Sequence, residues 1–288
     1  MPAFLSALVD DAAVFPPGSA PLEQAVLDHA QHRAAEYADL VGPLVVADRH
    51  LPSLRDLVRD PVSALRIAVV VTGGAGALDP AVRWASGPGL ELAAVEISMR
   101  ESDAGDLAPN AQRIVAAVDS LVQDGVLHED VPVYVEAPRW YGDGPSASWS
   151  EALDTVAAAD LRLKLRTGGA DKEAFPPAAE LAGWLRAALD RELRFKCTAG
   201  LHHAVRHRDP VTGFEHHGFL NVLLATRADL DGGSPADVAG VLDTTDAGEL
   251  LAAVEPDELT STRRWFTSFG SCSVAEPLDD LAGLGLLR

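Results

Sequence analysis

Short apolar runs recur along the chain, and most successive pairs leave room between them for a helix. They cover residues 7–15, 42–47, 65–72, 92–98, 131–137, 161–167, 193–198 and 266–270. Each is rich in Val, Leu, Ile, Ala or Phe and is bounded by turn-forming or charged residues, as strands are. Amphipathic stretches at 21–39, 108–124 and 176–190 carry the spacing of one-faced helices. Eight strands alternating with helices predict an α/β fold, a parallel (β/α)8 barrel of the TIM type spanning residues 1–288 as a single domain. No linker or solenoid-period repeat interrupts the pattern. The first strand is the least regular, because Asp10 and Asp11 break its apolar run.

One connection is out of proportion. Roughly 65 residues separate the seventh and eighth strands, far more than a barrel connection needs. This excursion, residues 201–260, holds His202, His203, His207, His216 and His217 and then helical patterns at 218–227, 235–242 and 246–254. Its place after a barrel strand predicts a lid or a subunit contact at the C-terminal face.

Period-two alternation sorts each strand into an inward and an outward set. In 92–98, Val95 and Ile97 point outward while Glu96 and Ser98 point inward. In 131–137, Val133 and Val135 point outward while Tyr134 and Glu136 point inward. The leucines of 161–167 share one face, and Lys164 and Arg166 share the other. In 193–198, Phe195 and Cys197 face the helices while Lys196 and Thr198 face inward. Glu96, Glu136, Lys164 and Lys196 are therefore expected in one interior, where most barrels place branched aliphatics. Buried charge is costly unless paired, so this pattern reads as a catalytic site, with a structural ion network as the alternative.

The lysines sharpen that reading. The chain contains three, Lys164, Lys172 and Lys196, against twenty arginines. Arginine keeps its proton, whereas a buried lysine can lose its own and become a nucleophile. Two lysines on adjacent strands would each depress the other's pKa and free an amine for Schiff-base chemistry.

Composition changes the picture mainly by exclusion. A net charge of -20 disfavours nucleic acid and anionic membrane as partners. The two cysteines, Cys197 and Cys272, imply no disulfide framework. The N-terminus is acidic rather than basic, and no apolar run reaches membrane-spanning length. With 48% hydrophobic residues, these features predict a cytoplasmic protein with a large core and a small-molecule substrate, and self-association is a further expectation.

Several motifs together resemble the deoxyribose-phosphate aldolases. The sixth strand carries Lys-x-x-Thr-Gly (Lys164, Thr167, Gly168), and the seventh carries a second lysine before a small-residue turn (Lys196, Thr198, Gly200). The fifth reads Val-Tyr-Val-Glu-Ala and the eighth Phe-Gly-Ser-Cys-Ser (Gly270, Ser271, Ser273). The likeness covers about the second half of the chain. It implies a class I aldolase or related lyase in which Lys164 forms the Schiff base and Lys196 lowers its pKa, with no cofactor and no metal.

Glu136 would anchor a lysine or shuttle protons, and Glu96 would be its partner or a second acid/base. Arg166 would clamp an anionic substrate group. Thr167, Gly168, Thr198, His202 and His203 would line the site, and Gly270, Ser271 and Ser273 would bind phosphate, although small residues also suit a tight turn. The chain departs from that family in its His202–His203 pair and at Arg166. Residues 10–17 and 196–203 also resemble a family of bacterial barrel proteins whose function is not established.

Two other readings stand beside the aldolase. One is a metal-dependent hydrolase or lyase using the His-rich excursion, although its spacing matches no specific ligand motif. The other is a non-catalytic binding or assembly module.

Overall fold

The structure, a computed structural model, describes residues 1–58, 64–99, 107–140 and 144–287. Its strands are β1 (Val9–Asp11), β2 (Val41–Ala47), β3 (Leu65–Val71), β4 (Leu90–Ser98), β5 (Val133–Glu136), β6 (Arg162–Arg166), β7 (Phe195–Thr198), β8 (His207–Arg208), β9 (Glu215–His216) and β10 (Phe266–Ser271). Eight of them close a barrel in the order β1-β10-β7-β6-β5-β4-β3-β2, with helices in the connections. Pairing is parallel in β1–β10, β10–β7, β2–β3, β3–β4, β4–β5 and β5–β6. This is the (β/α)8 architecture that the periodicity predicts. The short strands β8 and β9 stand outside the barrel as an antiparallel hairpin.

The eight apolar runs all become strands, but the first is much shorter than its run. After Asp11 the chain turns on itself, with the Phe15 N–H donating to the Ala12 carbonyl and the Ser19 N–H to that of Phe15. Asp10 and Asp11 do not break the strand; both are buried within it.

The chain partitions into two compact units. One consists of Met1–Asp11, Ala30–Gly42 and Leu165–Arg288, the other of Ala12–His29 and Pro43–Lys164. In the second unit, Val45, Ala68, Ala94 and Tyr134 pack into a cluster joined by Ala12, Phe15 and Val70. The four cluster residues come from four consecutive strands, so they occupy the concave inner face. On the opposite face Val95, Ile97, Val133, Val135 and Leu163 are buried as well. Each such side chain contributes about 1.5–3 kcal/mol by leaving water.

In the first unit, Phe195 stacks on Phe266 with ring centres 5.5 Å apart, and Phe219 stacks on Phe269 at 4.9 Å. The excursion is largely helical, with helices at Phe219–Leu230, Pro235–Asp243, Ala247–Ala252 and Pro256–Thr262. Buried Asn221 ties it together. Its amide donates to the Val241 and Thr244 carbonyls while its oxygen accepts from the Arg206 N–H. Among the described residues no helix is long and apolar enough to cross a membrane.

Candidate functional site

Within the second unit the register sets Glu96 beside Tyr134, and Glu136 beside Lys164. Glu96 shares its face with Ala94, and Glu136 shares its face with Tyr134, so both continue the inner face of the apolar cluster toward the C-terminal strand ends. The Lys164 ammonium donates to Glu96 Oε2 at 2.8 Å and lies 2.9 Å from Glu136 Oε2. Since β5 lies between β4 and β6, the Lys164–Glu96 contact spans two strands, which side chains can do only on the concave side. Lys164 is 3% exposed and Glu96 1%. Below this triad, Arg162 donates to the Tyr134 hydroxyl at 3.0 Å and its guanidinium lies over the same ring.

The electrostatics of Lys164 correct one expectation. Burial pushes the amine down, but the adjoining Glu96 and Glu136 carboxylates outweigh it and raise the pKa above the ordinary lysine value. Lys164 therefore rests as an ammonium, not as the free amine expected from a neighbouring lysine.

In the first unit, Lys196 is 1% exposed and pairs with Asp10 Oδ2 at 2.5 Å. Ser268 donates to the same oxygen at 2.8 Å. This contact also spans two strands, β7 and β1 on either side of β10, and so occupies a concave face. A Cβ at position 42 would overlap the Asp10 carboxylate, which explains the glycine there. Sequence reasoning missed Asp10 and Ser268. The signal was present in an acidic pair inside a strand, facing a chain whose other strands carry inward lysines.

The expected lining residues divide. Thr167 is buried, its hydroxyl donating to the Ala199 carbonyl at 2.6 Å and its N–H to the Thr198 carbonyl at 2.9 Å. Gly168 is required by close approach, since a Cβ there would stand 2.7 Å from the Gly200 Cα and 2.8 Å from Phe175. The Thr-Gly of the lysine motif is thus a joint between two strand ends. Arg166 is exposed at the end of β6, and Thr198 is half-buried.

Around Gly270 the hydroxyls serve the turn. Ser271 Oγ donates to the Ser273 carbonyl, and Ser273 Oγ accepts from the Glu276 N–H that opens the following helix, Ala275–Gly283. His202 pairs with Glu276 at 2.8 Å and His203 with Asp280 at 3.2 Å, which fastens the root of the excursion to that helix.

The remaining histidines pack as rings. His203 meets His207 edge-on at 4.5 Å, His207 tilts against His216 at 5.2 Å, and His216 lies 4.4 Å from Phe175. Burial lowers the pKa of both His207 and His216. Among the described residues no group of three His, Cys, Asp or Glu side chains is arranged to hold a metal ion. Compared with models of known protein families and with curated proteins, the chain matches none.

Proposed function

We propose that the protein is an enzyme that takes a small carbonyl compound through a Schiff base on Lys164, as a class I aldolase or related lyase does. The observation that carries this reading is the buried Lys164 ammonium held by Glu96 and Glu136 at 2.8 and 2.9 Å. A cation with a single partner would suffice for structure. The second carboxylate supplies what imine chemistry needs, a base in contact with the nitrogen.

Glu136, the last residue of β5 and the more accessible of the two carboxylates, is the proton acceptor. It takes one proton from Lys164, and the freed amine attacks the carbonyl carbon, forming the C–N bond as the C=O pair moves to oxygen. A second nitrogen proton follows by the same carboxylate. Both leave with the carbonyl oxygen as water while the nitrogen pair closes the C=N bond. Glu96 keeps its hydrogen bond throughout and offsets the charge of the iminium. The iminium then draws electrons from an adjacent C–C bond, and Glu136 accepts the hydroxyl proton of the departing aldehyde.

Borohydride reduction in the presence of small aldehydes and ketones, followed by peptide mass mapping, tests the proposal. A reduced adduct on Lys164 is expected with at least one carbonyl compound. Lys172, exposed in a surface turn, is the internal control. Adducts on Lys172 alone would refute the imine at Lys164.

A further inference from the structure

The hairpin of β8 and β9 sets His207 directly opposite His216, and their rings tilt together at 5.2 Å. His203 closes on His207 from one side at 4.5 Å, and Phe175 closes on His216 from the other at 4.4 Å. The Phe175 ring in turn lies against Gly168 and Gly200, where an added Cβ would stand 2.8 and 3.1 Å from it. These two glycines follow β6 and β7. One column of rings thus ties the hairpin to the C-terminal ends of two barrel strands, the edge on which barrels of this type build their activity. A two-stranded hairpin is marginal by itself, and this one pairs two residues on each side, so the column decides whether it stays closed.

The column suits uncharged imidazoles. Both ring nitrogens of His216 are buried without a hydrogen-bond partner, and His207 Nδ1 faces the Val205 carbonyl at 3.2 Å. An imidazolium at His216 would bury a second N–H with no acceptor and set its charge against the neighbouring imidazole. The charged groups around the rings are Asp209 in the hairpin turn and, on the helix Ala275–Gly283, Asp280 and Glu276, which hold His203 and His202. Phe175 presents an uncharged ring, and Glu215 turns to Arg206 at 3.9 Å. Burial, aided by repulsion among the imidazoles, outweighs the pull of these carboxylates and holds His207 and His216 below the ordinary histidine value of 6.5.

We infer that the β8–β9 hairpin is a pH-operated strap, held to the barrel edge by a column of neutral rings and released when His207 and His216 take up protons. A group whose pKa is lower in the closed state than in the open chain gives stability that is complete above the open-state value, here 6.5, and is lost as pH falls below it. Once open, each imidazolium regains water. Release is local, because the excursion keeps contacts outside the column. Asn221 still joins the Arg206 N–H to the Val241 and Thr244 carbonyls, and the Ala204 N–H still donates to Asp280 at 2.7 Å. The inference uses no residue of the Lys164 cluster and stands or falls independently of the imine.

Amide hydrogen exchange at pH 7.5 and pH 5, corrected at each pH for the intrinsic chemical rate and read by peptide mass, tests the strap. A histidine that stays neutral when closed and titrates at 6.5 when open favours opening about thirtyfold more at pH 5 than at pH 7.5, and two reach about a thousandfold. The expected result is a loss of protection of at least about tenfold in residues 205–217 on acidification, with residues 90–98 better protected than the hairpin at both pH values. His207→Phe/His216→Phe keeps two rings in the column and removes both protons, so the loss should shrink to less than about threefold. In the unaltered protein, nuclear magnetic resonance titration of the ring C–H signals should show His207 and His216 both titrating below 6.5, which tests the strap even where the double variant does not fold. A loss below about threefold in the unaltered protein, an equal loss in the folded double variant, a hairpin as well protected as residues 90–98, or either histidine titrating at or above 6.5 would each overturn the inference.

Discussion

Replacing Lys164 by methionine keeps most of the side chain's volume and length but removes the cation between Glu96 and Glu136. Each Lys164–carboxylate contact, at 2.8–2.9 Å, is a gross attraction of roughly 6 kcal/mol at an effective dielectric constant of 20. Desolvation of the three buried ions, at several kcal/mol apiece, opposes most of it. Losing the cation alone leaves that desolvation in place and sets two carboxylates against each other, so the expected loss is about 3–5 kcal/mol at pH 7.

The pH dependence separates this account from a simple packing defect. In the unaltered protein the Lys164 pKa is raised, so its stabilisation is complete below the ordinary lysine value and fades only as pH climbs through the raised one. Between pH 5 and pH 7 that contribution is constant. In Lys164→Met the two carboxylates must share a proton to coexist. Retaining one proton that the unfolded chain has released recovers about 1.4 kcal/mol per pH unit on acidification, or roughly 2.7 kcal/mol between pH 7 and pH 5. Urea denaturation of both proteins at the two pH values measures the difference. A deficit under about 1 kcal/mol at pH 7, or one that does not shrink at pH 5, would refute the buried triad.

Lys164→Arg keeps the charge but cannot form an imine, so a folded variant should show no borohydride adduct at position 164 and no activity with any carbonyl compound that labels the unaltered protein; retained turnover would eliminate the mechanism. Asp10→Asn should cost about 1.5–3 kcal/mol in denaturation experiments, because Lys196 loses a charge-assisted hydrogen bond to a buried carboxylate, and a loss below about 0.5 kcal/mol would contradict that dependence. His217 is buried, its Nε2 is 2.8 Å from the Pro176 carbonyl, and burial lowers its pKa to about 4. A depressed pKa gives stability that is complete above the unfolded value of 6.5 and is lost as pH falls toward 4, here about 3 kcal/mol by linkage. His217→Gln should therefore flatten the stability profile between pH 6.5 and pH 4, as read by denaturation across that window, and an unchanged slope would contradict the assignment.

The inner placement of Glu96, Glu136, Lys164 and Lys196 was legible from alternation alone, because a strand's side-chain period is two and the outward set was uniformly apolar. Their partners were not legible. Asp10 looked like an interruption of an apolar run, since nothing local distinguishes an acid that ends a strand from one aimed at a lysine far along the chain. The pairing of Lys196 with Asp10 links residues nearly two hundred positions apart, a choice made by barrel closure rather than by any local preference. Thr167 and Gly168 show the reverse case. They read as ligand contacts by resemblance, and the structure uses them to join two strand ends.

The order of elements and the inward face of Glu96, Glu136, Lys164 and Lys196 were already written in the chain. Both follow from short-range stereochemistry, the periods of strand and helix, which any window of ten residues records. Which charges meet is a matter of tertiary contact. Lys164 lies between two glutamates, so its pKa rises where lysine–lysine repulsion would have lowered it, and His202 meets Glu276, a residue that no spacing in the chain connects to it. Coulomb energy depends on separation in space, and separation in space is set by how the strands close into a barrel, which no local pattern carries.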